Sequence, residues 1–152
     1  MGNTYGRTVL ETTGRPILVS ADGRPDWKVG GLTIDWSTVA AVSGSDVTTP
    51  DGRVVKIGEK YLRYGQVLNR ITASGKYGPA DTTLSNGQET TGGGSQSFIL
   101  NETVLEADSG SDHPAVFDGG LVWPDRIIAG SGNAPTLAAV LAALPRLSFA
   151  KD

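Results

Sequence analysis

KYLRYGQVLNRITASGKYGP, residues 60–79, is the stretch that decides what kind of fold this chain builds. Its apolar residues group at Leu62, Val67, Leu68 and Ile71, and glycines punctuate it at Gly65, Gly75 and Gly78. Tyr61 to Leu62 and Gln66 to Thr72 read as strands on either side of a turn at Tyr64-Gly65, where glycine adopts positive φ at no steric cost. A second glycine-rich turn is expected from Ser74 to Pro79. The stretch is carefully built as strand and turn, yet it carries almost nothing that does chemistry.

The flanking sequence extends the same pattern. Upstream, Leu32, Ile34 and Trp36 alternate with Thr33, Asp35 and Ser37, the period of a half-buried strand. A Pro50-Asp51-Gly52 turn precedes a β-branched run that places Val55 and Ile57 on one strand face and Val54 and Lys56 on the other. Downstream, residues 80–97 are mostly Thr, Ser, Asn and Gly with Leu84 as the one large apolar residue, a long surface loop of the kind that is usually functional or mobile. Ser97 to Leu105 resumes strand character. Ala115 to Val122 reads as a strand pair or a strand with a glycine bulge, and Trp123-Pro124-Asp125 opens a short turn or helix through Ile128. One helix is expected after Asn133, with Pro135 in its first turn and Pro145 ending it. Leu137, Val140, Leu141 and Leu144 share its apolar face.

Composition agrees with many short strands. The 152 residues include 21 glycines and no cysteine, and the formal charge is −3. A chain of this length buries roughly two-thirds of its unfolded surface, so a core needs no staples. Without cysteine there is no disulfide, zinc-thiolate site or cysteine nucleophile, which fits an intracellular or assembly origin. No Lys/Arg stripe argues for nucleic acid, and no apolar run approaches a membrane span or a secretory signal. A soluble protein is expected.

Residues 1–28 differ from the rest. A turn element occurs twice, Gly14-Arg15-Pro16 and Gly23-Arg24-Pro25, and proline biases the residue before it towards extended backbone. The segment reads as an extended N-terminal arm preceding a domain of residues 29–152. Val9, Leu10, Ile17, Leu18 and Val19 are its apolar anchors for a partner. As an arm without a partner it reads equally as a loose terminus with one edge strand.

Candidate chemistry is sparse. His113, the one histidine, sits in a polar loop with Ser109, Ser111, Asp108 and Asp112, but no Gly-x-Ser-x-Gly elbow accompanies it. Asp108-Ser-Gly-Ser-Asp112 offers oxygen ligands without the spacing or closing glutamate of a calcium loop. Gly92-Gly93-Gly94-Ser95 has no following Lys-Ser/Thr and is not a phosphate loop. No catalytic residue, cofactor site or metal site is therefore assigned, and the chain reads as a non-enzyme. The rival reading is a small-ligand or glycan-binding β-barrel module, its site formed by the 80–97 loop and the tryptophans.

Two resemblances follow from these residues. Val55-Lys56-Ile57-Gly58-Glu59 running into Tyr64-Gly65-Gln66-Val67-Leu68 resembles a phrase of lipoyl and biotinyl carrier domains. The modifiable lysine hairpin of those carriers has no counterpart here, so carrier function does not transfer. The second resemblance spans about Lys56 to Ile128. Leu62 to Leu68, Ile71-Thr72, Gly75-Lys76-Tyr77, Asn86-Gly87-Gln88, the strand and acidic loop of Phe98 to Asp112, Pro114-Ala115-Val116 and Gly119 to Ile127 follow one another as in lambda-type head decoration (capsid cement) proteins of tailed phages. The resemblance implies a mostly β fold: a small barrel-like domain of the β-tulip type, with the N-terminal arm and one short C-terminal helix. It also implies a homotrimer bound to the major capsid protein on the outer surface of the expanded head, stabilising the shell against DNA pressure. Trp27, Trp36 and Trp123 are the candidate trimer-interface anchors, each also suited to a core.

Overall fold

In the computed structural model, residues 25–28, 31–111 and 113–149 are described. They form a mostly β structure whose elements are β1 (Val47–Thr48), β2 (Val54–Val55), β3 (Tyr61–Leu62), β4 (Val67–Arg70), β5 (Tyr77–Pro79), β6 (Ser97–Leu100), β7 (Val104–Leu105), β8 (Val116–Phe117), β9 (Gly120–Val122), α1 (Leu137–Ala143) and β10 (Leu147–Phe149). Short 3-10 turns lie at Trp36–Thr38 and Pro124–Arg126. The central sheet has the order β5-β4-β6-β8, and the pairs β1-β2, β3-β7 and β9-β10 surround it. These sheets are open; no closed barrel is formed among the described residues.

Because side chains alternate across a strand, the central sheet has two faces, and both are buried. Val67, Ile99 and Phe117 stand in register across β4, β6 and β8 and pack with Val140 of α1 and Leu144, its C-cap. Leu68, Phe98, Leu100 and Val116 form the opposite face and pack against Leu32, Ile34, Trp36 and Leu62. This double burial explains the unbroken apolar runs Val67-Leu68 and Phe98-Ile99-Leu100, all at most 4% exposed.

The stretch 60–79 contains both expected strands, but they do not pair with each other. β3 pairs with β7 and β4 pairs with β5 and β6. The turn between them is a corner that moves the chain from one sheet to another. Gly65 makes that corner at φ 82°, its N–H donating to Leu100 C=O and its C=O accepting from Ile128 N–H. The expected turn at Ser74 to Pro79 ends early, since Tyr77–Pro79 joins the sheet as β5, opposite Leu68 to Arg70.

Elsewhere local pattern and tertiary outcome differ in similar ways. Leu32, Ile34 and Trp36 are buried as expected, yet the segment makes one isolated bridge, Ile34 to Tyr77, before Asp35 caps the 3-10 turn. Val55 is fully buried, but Ile57 is 56% exposed because β2 ends at Val55 and the chain turns at Gly58. The 97–105 run divides into β6 and β7, and the 115–122 run into β8 and β9, each pair split between two sheets. Around α1, Thr136 is the N-cap and accepts from Ala139 N–H, so Pro135 precedes the helix and is not part of its first turn. Leu137, Val140 and Leu144 carry the packing, while Leu141 lies at the margin, 40% exposed. Beyond Pro145 the unanticipated β10 runs parallel to β9. Two parallel strands need a crossover, and α1 supplies it.

Residues 25–28, the described part of the arm, lie along β8 and the start of β9. Trp27 bridges Phe117 in antiparallel sense, Asp26 N–H donates to Gly119 C=O at 2.9 Å and Lys28 N–H to Val116 C=O at 3.0 Å. The Arg146 guanidinium reaches Asp118 at 2.6 Å and Asp26 at 3.5 Å, closing the same edge.

Candidate functional site

The residues singled out from sequence fall in separate places. Val9, Leu10, Ile17, Leu18 and Val19 lie outside the described residues. Trp27 is 46% exposed, with one ring edge against Phe117 at 5.9 Å between centroids. Trp36 is in the core and its indole N–H has no hydrogen-bond partner among the described residues. Trp123 is half-buried where the chain leaves β9 for the 3-10 turn. The three rings do not form one patch: Trp36 faces the interior, and Trp27 lies at the edge beside β8.

The polar stretch 106–111 is organised by an ion pair. Arg53 donates from both terminal nitrogens to the two Asp108 oxygens at 2.7 Å, and Leu105 N–H donates to Asp108 at 3.0 Å. Ser111 donates to Glu106 C=O, and His113 is exposed. Asp108 and Ser111 are thus each engaged in holding the loop, and among the described residues no cluster of three His, Asp or Glu side chains is placed to hold a metal.

Hydrogen bonding from Arg53, then the Leu105 amide, holds the Asp108 carboxyl below its ordinary value. A carboxylate depressed by folding contributes stability that is fully present above the unfolded pKa of about 3.9 and is lost as pH falls through the lower folded value. Asp108→Asn is therefore expected to cost about 1 kcal/mol at pH 7, the pair being partly screened by solvent. Urea melts at pH 7 and pH 3 check this: the gap between variant and parent should narrow at the lower pH.

The long loop 80–96 is hydrogen-bonded to the sheet. Asn69 on β4 is fully buried. Its amide donates to Gln88 C=O at 2.7 Å and Thr91 Oγ1 at 3.0 Å, and its oxygen accepts from Ser97 at 2.7 Å. Gln88, 2% exposed, donates in turn to Pro79 C=O. Gln96 adds bonds to the carbonyls of Arg70, Gly87 and Thr90.

A groove of about 480 Å³ opens on the other side of β3 from β7, walled by residues 38–40, 61–63 and 127–129 with Gln66, Pro79 and Ser131. Neither the 80–97 loop nor a tryptophan lines it, so it is not the site expected for a ligand-binding barrel. Arg63 is its one charged residue. The guanidinium lies 5.2 Å from the Tyr64 ring centroid and makes no ion pair or hydrogen bond with a described residue, its Nε–H being buried. Sequence reading passed over Arg63, because an arginine between two apolar residues looks like a solvated strand flank.

Comparison with known proteins finds no matching family model, no matching curated protein and no matching solved structure.

Proposed function

We propose that this chain is a tailed-phage head decoration protein, a β-tulip-type domain that binds the expanded capsid as a trimer and stabilises the shell. The observation that carries the reading is the position of residues 25–28. They add to the outer side of β8, so the polypeptide leading to Val9, Leu10, Ile17, Leu18 and Val19 departs from a sheet edge beside the exposed Trp27. From such an edge, extended backbone reaches a neighbouring protein, where main-chain bonds supply affinity and alternate side chains fill pockets.

The succession of motifs supports the same reading, since Gly65 to Leu68 forms the corner and central strand around which the other segments pack. Exposed apolar side chains add to it. Val54 and Ile57, each 56% exposed around the end of β2, are further candidates for subunit or capsid contact. Three weak arm contacts held by one trimer become strong together.

Co-sedimentation with expanded and unexpanded heads of the parent phage tests the proposal. Full-length protein is expected to saturate expanded heads in multiples of three per site, and deletion of residues 2–20 to weaken binding about a hundredfold or more while the domain stays folded. Undiminished binding by the truncated protein removes the arm from the mechanism. Binding to neither form of head removes the capsid.

A further inference from the structure

The groove beside β3 has the attributes of a peptide site. Residues 36–42 and 58–63 run alongside one another, joined at Val42 by its N–H to Glu59 C=O and its C=O from Gly58 N–H. Past Val42 no backbone hydrogen bond joins residues 38–41 to residues 60–63, and the groove lies in the opening. Ala40 makes no backbone hydrogen bond to a described residue. On the facing wall, Lys60 C=O accepts from Glu106 N–H, so the antiparallel alternation makes Tyr61, opposite Leu105, a non-hydrogen-bonded position. The Tyr61 N–H and C=O therefore point away from β7, on the groove side. The free edge of β3 and the unpaired backbone at Ala40 thus border one cleft.

The side chains specify what fits between them. Leu62, Ile127 and Val39 back the cleft from the core, nearly buried, among polar and small residues, and the lining contains no acidic residue. Arg63 alone brings charge, in a chain whose net charge is −3. A guanidinium on the groove wall, set against Tyr64 and without an ion pair among the described residues, is poised for a planar anion that accepts from its terminal N–H groups. A carboxylate does this.

We propose that this groove receives an extended peptide segment of a partner protein, added as a strand along β3, with an Asp or Glu side chain on Arg63 and apolar residues at alternate positions. The proposal does not depend on the capsid reading.

Selection from a displayed library of random nine-residue peptides against the full chain tests it. Enriched peptides are expected to carry one acidic residue flanked by alternating apolar residues, and to shift the amide resonances of Ala40, Tyr61 and Arg63 in the isotope-labelled protein. Arg63→Gln, its fold checked by the remaining resonances, should weaken them about tenfold or more. Arg63→Glu should lose them and gain the same peptides with lysine in place of the acid, a reversal that a structural defect does not produce. No enrichment, enriched peptides without an acid, or affinities unchanged by Arg63→Gln would each overturn the proposal. So would concentration-dependent self-association abolished by Arg63→Gln, which would make a second copy the occupant.

Discussion

Gly65→Ala is expected to be the most destabilising single change in the described structure, costing about 4 kcal/mol or preventing folding altogether. Two costs combine. At φ 82° an L side chain pays the left-handed penalty of about 1–2 kcal/mol. A Cβ there would also stand 2.0 Å from the Arg126 carbonyl oxygen, and a backbone atom has little room to yield. Relief would pull the 124–128 segment off the corner and break the bond from Ile128 N–H to Gly65 C=O. Urea denaturation of parent and variant measures the loss. A loss under 1 kcal/mol would mean that the corner is not held by this contact. Alanine at Gly52 is the control, because its φ is similarly positive at 87° but nothing lies within 4 Å of its Cβ position. Its cost should stay near the conformational penalty alone.

Asn69→Leu is expected to cost about 3 kcal/mol, the second-largest effect. Leucine fits the volume but takes one bond each from Gln88 C=O, Thr91 Oγ1 and Ser97 Oγ, leaving Gln88 C=O with Asp81 N–H alone and the Ser97 hydroxyl with no acceptor among the described residues. A buried group stripped of its partner costs about 1–3 kcal/mol, reduced where the freed loop lets water in. Besides a lower denaturation midpoint, hydrogen exchange should show where the loss falls. Amides of residues 80–96 should exchange faster while those of β6 and β8 keep their protection relative to the global stability. Uniform acceleration across the domain would show that the loop is not separately fastened by Asn69.

These two residues differ in how legible they were. Gly65 was visible as a turn glycine, since a Tyr-Gly-Gln step between apolar runs has few other readings. The reason it must be glycine was not visible, because Arg126 is 61 positions away and meets it only in the folded chain. Asn69 gave no signal at all. A polar residue inside Val67-Leu68-Asn69-Arg70 looks like the solvated side of a strand until a loop from residues 80–96 closes over it. The same holds for Arg63, whose guanidinium has no hydrogen-bond or ion-pair partner among the described residues, a property of the groove and of no local pattern.

Local chemistry alone determined the abundance of strands, the turns at Pro50 to Gly52 and Tyr64-Gly65, the helix that crosses from β9 to β10, and most of the apolar core positions. Those follow from φ preferences and from periods of 2 and 3.6, which act between near neighbours. Tertiary structure decided which strands pair. β3 leaves β4 for β7, one apolar run divides between two sheets at Gly119-Gly120, and β10 forms only because β9 is already there to receive it. Strand pairing is chosen by burying both faces of β4 and β6 at once, a condition set by residues distant in sequence that no single segment expresses.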